Sequence, residues 1–397
     1  MMEKFDYYNP TRVIFGNGTR FQIGSELKGK YKKILLIVSK GPFRENGLYD
    51  EIRESIEESG IEVFEMSDID SNPLISSVRE GAKKCKEDSI ECVIALGGGS
   101  TMDCAKVIAA GAKYDIDPYN FLWGDRVPIE NAIDIVTIPT IAATGTEVNP
   151  TAVIVNDETK EKYFCESMAL FPKFTIMDPE ITLTVPLKLT IFGAMDILSH
   201  TFEFYFNGYI KSEFQNRFSE AILLATMKTV EDLARNPKDL NARGELMWCA
   251  SMAWGGGLTK IGRGTPDMAV HAIEESTSGY FGTHHGGGCG VLTPRWMDIV
   301  SLSSPEIFSR FARNVLNIYE KNDKAASLKG VEAYKNWIKK VGGPVTFFDL
   351  GDREFKDEEL EHVAKTAWKV YKGKIGRLRP LNLEEVITIL KNGKIAY

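Results

Sequence analysis

Four of the five histidines of this chain fall between His200 and His285. The first closes Asp196-Ile-Leu-Ser-His200, and two more open a glycine run in Thr283-His284-His285-Gly286-Gly287-Gly288. Spacing of four puts Asp196 and His200 on one face of a helix, where a carboxylate and an imidazole can grip one ion. His271 belongs to a second helical pattern. His285 follows fourteen residues later, beside glycines that would let the chain turn back. One carboxylate with three imidazoles suits ferrous iron or zinc, and such an ion can take a substrate oxygen by expanding its coordination. An isolated histidine is more often a core or surface residue than a ligand, so spacing alone leaves both readings standing. Cys289 lies near enough to act as a soft donor, although the histidines are better spaced for the task.

A second constellation comes earlier. Val93-Ile-Ala-Leu96 runs into Gly97-Gly98-Gly99-Ser100, and Thr101 begins a helical stretch containing Asp103 and Lys106. Glycines at a strand-to-helix turn let the backbone approach a ligand, and the helix N-terminus favours a diphosphate. The turn is neither GxGxxG nor a Walker A sequence. Its plainer reading is a tight turn, with Ser100 and Asp103 as a capping box and Lys106 as an exposed ion-pair partner. Pro139-Thr140-Ile-Ala-Ala-Thr144-Gly145-Thr146-Glu147 adds hydroxyls at another strand end, the side of a parallel sheet where ligands bind.

These residues need elements to position them. Lys33 to Ser39, Ile61 to Met66, Glu91 to Leu96 and Asp134 to Ile138 read as strands, alternating with helices at Tyr49 to Ser59, Leu74 to Lys86 and Thr101 to Ala112. That alternation predicts an α/β domain with a parallel sheet. A hairpin over Thr151 to Val155 and Lys162 to Glu166 follows, then a strand at Phe174 to Met177. From Pro186 onward the pattern is helical: Ala221 to Leu233, Leu246 to Trp254, Met268 to Ser276, Ile307 to Tyr319, Ala333 to Val341 and Leu383 to Leu390. The expected domains are 1–185, α/β, and 186–397, all-helical.

With 397 residues, 43% of them hydrophobic, the chain can bury a sizeable core in each. A net charge of -7 without a basic run argues against nucleic acid and anionic membranes as partners. Neither a signal peptide nor a run of membrane-spanning length is visible, and the six cysteines form no CxxC pair. A cytoplasmic enzyme of small molecules is the expectation.

Gly-Gly-Gly-Ser-x-x-Asp-x-Ala-Lys, the Pro139 to Glu147 loop, Asp196-x-x-x-His200 and the His271 to His285 pair occur together in this order. In that combination the chain resembles the iron-containing (group III) alcohol dehydrogenases over nearly its full length, and looks most like their NAD(P)H-dependent butanol dehydrogenase branch. The resemblance implies a Rossmann-like dinucleotide-binding domain, an all-α domain and an active site in the cleft between them, the architecture shared with dehydroquinate synthase. It implies that Asp196, His200, His271 and His285 ligate the catalytic metal, with His285 preferred over His284 because the family ligand directly precedes glycine. It further implies that Gly98, Gly99 and Ser100 meet the cofactor diphosphate. Asp103, Thr140, Thr144, Lys162 and Asn72 would line the rest of the cofactor site. One departure is visible: many relatives carry a histidine one turn after the third ligand, where this chain has Glu275, so a proton relay there is in doubt. His362 has no counterpart and reads as a surface residue.

The implied reaction is reversible hydride transfer between NAD(P)H and a small aldehyde such as butanal, with ferrous iron, or zinc, polarising the carbonyl oxygen. Ser39-Lys40-Gly41 at the end of the first long strand lacks the acidic residue that NAD-specific enzymes place there, which favours NADP(H) over NAD(H). The substrate pocket is expected from Thr144 to Asn149, the Asp196 helix and Met252 to Leu258, with Met252 and Trp254 as apolar lining. Arg12-Val-Ile-Phe15 could pair as an edge strand with a second subunit, giving a homodimer. Rival readings are a glycerol dehydrogenase-like polyol oxidoreductase, a dehydroquinate synthase-like lyase, a metal-dependent hydrolase and a non-catalytic nucleotide-binding protein.

Overall fold

The computed structural model describes residues 3–208 and 212–397. Its first unit, Tyr8–Val185, is built on strands β1 (Arg12–Phe15), β2 (Lys33–Ser39), β3 (Glu62–Ile69), β4 (Cys92–Gly97), β5 (Asp134–Pro139), β6 (Thr151–Val155), β7 (Lys162–Glu166) and β8 (Phe174–Met177). Helices α1 (Ile23–Leu27), α2 (Leu48–Glu57), α3 (Ile75–Glu87) and α4 (Gly99–Gly111) connect them. Six strands form one parallel sheet in the order β1-β8-β5-β4-β2-β3, while β6 and β7 make a separate antiparallel hairpin. Ile34 to Val38 and Cys92 to Leu96 are buried throughout, because a parallel sheet is covered on both faces. Two apolar clusters result, one on each side of the sheet.

The strand order reverses between β2 and β4: the chain moves outward from β2 to β3, then returns to β4 and continues the other way through β5. Beyond the carboxyl ends of those two strands lies the crevice that such sheets offer to ligands. Ser39 and Gly97 sit at that rim. The bur-ied charge of α4 corrects the plainer reading of Lys106, which is fully buried rather than exposed.

The second unit comprises Pro186–Tyr397 with the N-terminal residues up to Tyr7. Its helices are α5 (Leu187–Tyr205), α6 (Glu213–Arg235), α7 (Leu240–Ala250), α8 (Ala269–Phe281), α9 (His285–Val300), α10 (Pro305–Asn314), α11 (Asp323–Lys340), α12 (Asp357–Val370) and α13 (Leu383–Asn392). Residues 3–7 side with these helices: the Glu3 N–H donates to Gly262 O at 3.1 Å and the Tyr7 hydroxyl to Gly256 O at 3.0 Å. Helix α5 packs against α6 and α9, and α8 against α9 and α12. Every residue of α5 from Thr190 to Tyr205 is buried, so it shows no polar stripe and its periodicity is hard to read. The glycine run after His285 is a further departure from expectation, since Gly286, Gly287 and Gly288 form the first turn of α9 instead of a flexible return.

Candidate functional site

Three helices of this unit converge on one buried polar spot. Helix α5 presents Asp196, His200 and Glu203, at positions i, i+4 and i+7 of one face; α8 presents His271 and Glu274; α9 presents His285 and Cys289, again four apart. Candidate ligand atoms of Asp196, His271, His285 and Cys289 all lie within 4.8 Å of one another. His285 Nε2 is 3.4 Å from Asp196 Oδ1 and 3.9 Å from Cys289 Sγ. His200 Nε2 reaches Asp196 Oδ1 at 3.7 Å, and its ring stacks on His271 with centroids 4.8 Å apart. The sequence-predicted quartet is therefore brought together, with Cys289 as a fifth donor. His284 stands outside it, its ring against Phe192.

Sequence reasoning missed two carboxylates. Glu203 Oε1 accepts from His271 Nδ1 at 2.8 Å, and Glu274 Oε2 is bonded to His285 Nδ1. Imidazoles that bind metals commonly hand their second nitrogen to a carboxylate, which fixes the tautomer and raises ligand basicity. Glu203 also accepts the backbone N–H groups of Met268 and His271, meeting the open N-terminus of α8 from across the core. Helical spacing puts Glu203 on the face of Asp196, seven residues on, and Glu274 three after His271, but spacing does not single them out among the other glutamates.

Glycine sets how closely the helices approach. A Cβ on Gly286 would fall 2.1 Å from Phe192 O on α5, and one on Gly288 would fall 2.5 Å from Glu274 Oε1. Both contacts are far inside van der Waals range, so only glycine lets α9 carry His285 and Cys289 to Asp196.

Burial dominates the electrostatics. It pushes the His200 imidazole down to about 3 against the pull of Asp196, keeping the ring neutral and able to donate a lone pair. At His271 burial also opposes charge, but Cys289 and the Glu203 carboxylate outweigh it and lift the ring to about 9. Burial holds the Cys289 thiol well above its ordinary value. His271 Nε2 and His200 Nδ1 are buried without a hydrogen-bond partner in the chain. Orphaned nitrogens of this kind are costly unless something else satisfies them. Once His271 has given up its proton, the three imidazoles, the carboxylate and the thiol around those nitrogens form a donor set that fits a divalent zinc or iron ion.

Around this spot, one turn of π-helix at Ser251–Gly255 places Trp254 5.2 Å from the His200 ring and 6.2 Å from His271, centroid to centroid. Such turns recur at functional sites. Glu275 accepts a hydrogen bond from the Tyr371 hydroxyl. His362 is exposed, stacked beside Tyr280.

In the α/β unit the glycine turn is equally tight. A Cβ on Gly99 would meet the Thr144 side chain at 2.5 Å, one on Gly98 would meet Ile141 at 3.1 Å, and one on Gly97 would meet Ser39 Oγ at 2.8 Å. The Thr140 N–H donates to Gly97 O at 3.0 Å, and the Ser100 hydroxyl to Ser71 O. Thus Ser39, Gly98, Gly99, Ser100, Thr140 and Thr144 share the rim of the sheet. Lys162 Nζ donates to Asn72 Oδ1 at 3.3 Å, bringing those two together beside it.

Asp103 lies beneath the turn and does not cap α4. Its oxygens accept from the Thr146 hydroxyl at 2.6 Å and the Val153 N–H at 3.0 Å. Lys106 Nζ is caged by Thr146 O and Oγ1, Asn149 O and Oδ1, and Thr151 O, all within 3.0 Å. Thr146 to Asn149 are buried, and Thr146 and Asn149 brace the loop on Lys106. Lys40 pairs with Asp70.

Residues 10–179 match the model of iron-containing alcohol dehydrogenases, and residues 190–393 that of the C-terminal part of the Fe-containing alcohol dehydrogenase family. The chain is 37% identical over 395 residues to NADH-dependent butanol dehydrogenase B of Clostridium acetobutylicum, covering 98% of this chain and 99% of the relative. It is 28% identical to the NADPH-dependent aldehyde reductase of Escherichia coli, over 88% of this chain and 90% of that one. Among solved structures, NADH-dependent butanol dehydrogenase A of Thermotoga maritima superposes with a TM-score of 0.93 at 38% identity, covering 99% of both chains.

Proposed function

Since the chain belongs to the iron-containing alcohol dehydrogenase family, we propose that this NAD(P)H-dependent alcohol dehydrogenase and aldehyde reductase acts on short aliphatic aldehydes and alcohols, butanal among them. The gathering of Asp196, His271 and His285, with His200 3.7 Å from Asp196 and two of the imidazoles bonded to buried glutamates, is the observation that supports it most.

Those four residues would hold the divalent metal, iron or zinc. When bound, nicotinamide supplies the hydride, and the metal draws charge from the carbonyl oxygen or lowers the alcohol's pKa. The chain's own share is preorganisation. Glu203 and Glu274 hold the Nδ1 side of His271 and His285, leaving the Nε2 side of each ring for the metal. Trp254 sets an apolar ring beside His200 and His271, tilted to both. In the α/β unit Gly98, Gly99 and Ser100 would receive the diphosphate at the start of α4. Thr140 and Thr144 flank it, Asn72 and Lys162 bound it on another side, and Asp103 with Lys106 keeps the Thr144 loop in register.

Ser39-Lys40-Gly41 points to NADP(H), but the Lys40 charge is already matched by Asp70 at 2.5 Å. The Asp70 carboxylate beside it would weigh against a 2′-phosphate by like-charge repulsion. NAD(H) is therefore the cofactor proposed, in keeping with the NADH-dependent relatives at 37% and 38% identity. The ratio of kcat/KM with the two cofactors decides it, and a strong preference for NADPH would restore the first reading.

β1 lies at the edge of the sheet with β8 as its neighbour, and its open side could pair with the same strand of a second copy, making a homodimer. Six free, buried cysteines suit a reducing compartment such as the cytoplasm. Among the described residues no helix is long and apolar enough to cross a membrane.

The test is His271→Ala assayed with butanal and NADH. Metal retention and turnover should both be lost while dinucleotide binding stays within a few-fold. Full activity in that variant would refute the ligand assignment.

A further inference from the structure

We propose that the exposed face of α6 is a self-association surface, on which the same helix of a second copy packs antiparallel about a two-fold axis at Ala221. Phe214, Phe218, Ala221, Ala225 and Lys228 stand at i, i+4, i+7, i+11 and i+14, one face of the helix over about 21 Å. None of them is buried, although all but Lys228 are apolar; Phe214 is 70% exposed, and Leu224, on the flank of the stripe, 42%. The Phe214 and Phe218 rings stack at 6.5 Å. An amphipathic helix ordinarily turns such a stripe toward the core. Here the other face, with Ile222, Leu223, Thr226 and Val230, is the buried one, and the stripe is left over.

A groove of about 580 Å³ opens beside the C-terminal half of the stripe, lined by Leu224, Met227 and Lys228 of α6, Leu316 after α10 and Trp337 of α11. Exposed ring and apolar groove thus lie on one helix, which is what a self-complementary contact requires. An antiparallel copy centred on Ala221 sets Phe214 against the partner's Lys228 at the mouth of that groove, Phe218 against the partner's Leu224, and Ala221 against its own counterpart. The Phe214 ring then meets the groove's apolar wall and the lysine's stem and ammonium, while alanine at the crossing lets the helix axes come to about 8 Å. Charges bordering the stripe are matched within the chain: Arg217 by Glu213 at 2.8 Å and Glu220 at 2.9 Å, Lys228 by Asp232, and Lys340 by Glu231 at 2.9 Å. Two such faces meet without an uncompensated charge, so a second copy of this chain is the occupant they fit. The contact is separate from the β1 edge, and together with pairing there it makes a tetramer of two dimers.

Sedimentation of the full-length protein measures the mass of the assembly, which should be about twice that of Ala221→Arg, a variant that brings two guanidinium groups together at the axis. Phe214→Ala should raise the dissociation constant of this step about tenfold or more. Ala221→Cys should form an intermolecular disulfide on mild oxidation, because the two Cα atoms meet at the axis within the span that a disulfide takes; the six native cysteines are buried. A wild-type mass that Ala221→Arg leaves unchanged overturns the proposal, as does an Ala221→Cys protein that forms no cross-link, or a wild-type protein that stays monomeric at every concentration. Binding to phosphatidylcholine vesicles that Ala221→Arg abolishes, with the mass unchanged, assigns the face to a membrane surface and overturns it too. Should Ala221→Arg not fold, the Ala221→Cys cross-link decides the matter.

Discussion

At the scale of single residues, the buried glutamates define how well the imidazoles are held. Glu274 is fully buried, accepts from Ser278 Oγ at 3.2 Å and is bonded to His285 Nδ1. Glu274→Gln keeps the shape but removes the charge that fixes the His285 tautomer. Metal affinity should fall roughly 10–100-fold, read by chelator competition, with the fold intact by circular dichroism; unchanged affinity would reduce Glu274 to a packing role. Lys106 carries a different load. Burial lowers its pKa to about 8 against the pull of Asp103, yet five oxygens surround Nζ and favour the ammonium. Lys106→Met would leave those oxygens and Asp103 without their cation, costing on the order of 3–5 kcal/mol, visible as a lower denaturation midpoint. The sequence displayed Asp196, His200, His271 and His285 because metal-binding residue types are few and their spacing is helical. It hid Glu203 and Glu274, since glutamates abound and only the packing of α5 on α8, and of α8 on α9, gives these two their partners. Lys106 misled for the opposite reason: lysine is so seldom buried that its cage could not be read from the chain.

Elements bring those residues within reach, and the approach of α9 to α5 is the step with least tolerance. In an exposed helix Gly→Ala gains about 1 kcal/mol. At Gly286 the new methyl would lie 2.1 Å from Phe192 O, so α9 must move, an overpacking that costs about 1–3 kcal/mol or more. Gly286→Ala should therefore be less stable than wild type and weaker in metal binding, because the displaced helix carries His285 away from Asp196. A stabilised variant with normal affinity would show that the approach is not limiting. This is also where the sequence was least legible. Glycine runs signal turns by conformational freedom, and the same residues serve in α9 by lacking a side chain. The parallel strands were plain because each is an uninterrupted apolar run bounded by polar turns, and the β6–β7 hairpin because its two segments flank a polar turn. Helices α5, α9 and α12 were not separately resolved; α5 is buried on every side, which erases the period of 3.6.

For the molecule as a whole, the chemistry is divided between two units, each with its own contacts. All candidate metal donors and both supporting glutamates belong to the helical unit, and all residues assigned to the diphosphate belong to the α/β unit. A ligand stabilises what it binds by an amount set by its saturation, about 2.7 kcal/mol at one hundred times its Kd. That gain appears first in the local openings that would release the ligand, and amide hydrogen exchange measures those openings segment by segment. Zinc added to chelator-treated protein should therefore slow exchange in α5, α8 and the first turns of α9, above all in the backbone amides of Met268 and His271 that Glu203 accepts. NADH should slow exchange at Gly97 to Ser100, the start of α4 and the Thr140 to Thr146 loop. Glu203 makes the first pattern specific, because it joins the imidazole that would bind the metal to the end of the helix that bears it. If zinc left α5, α8 and α9 exchanging as before, the centre could not be where these helices converge, however well their side chains are placed to form one.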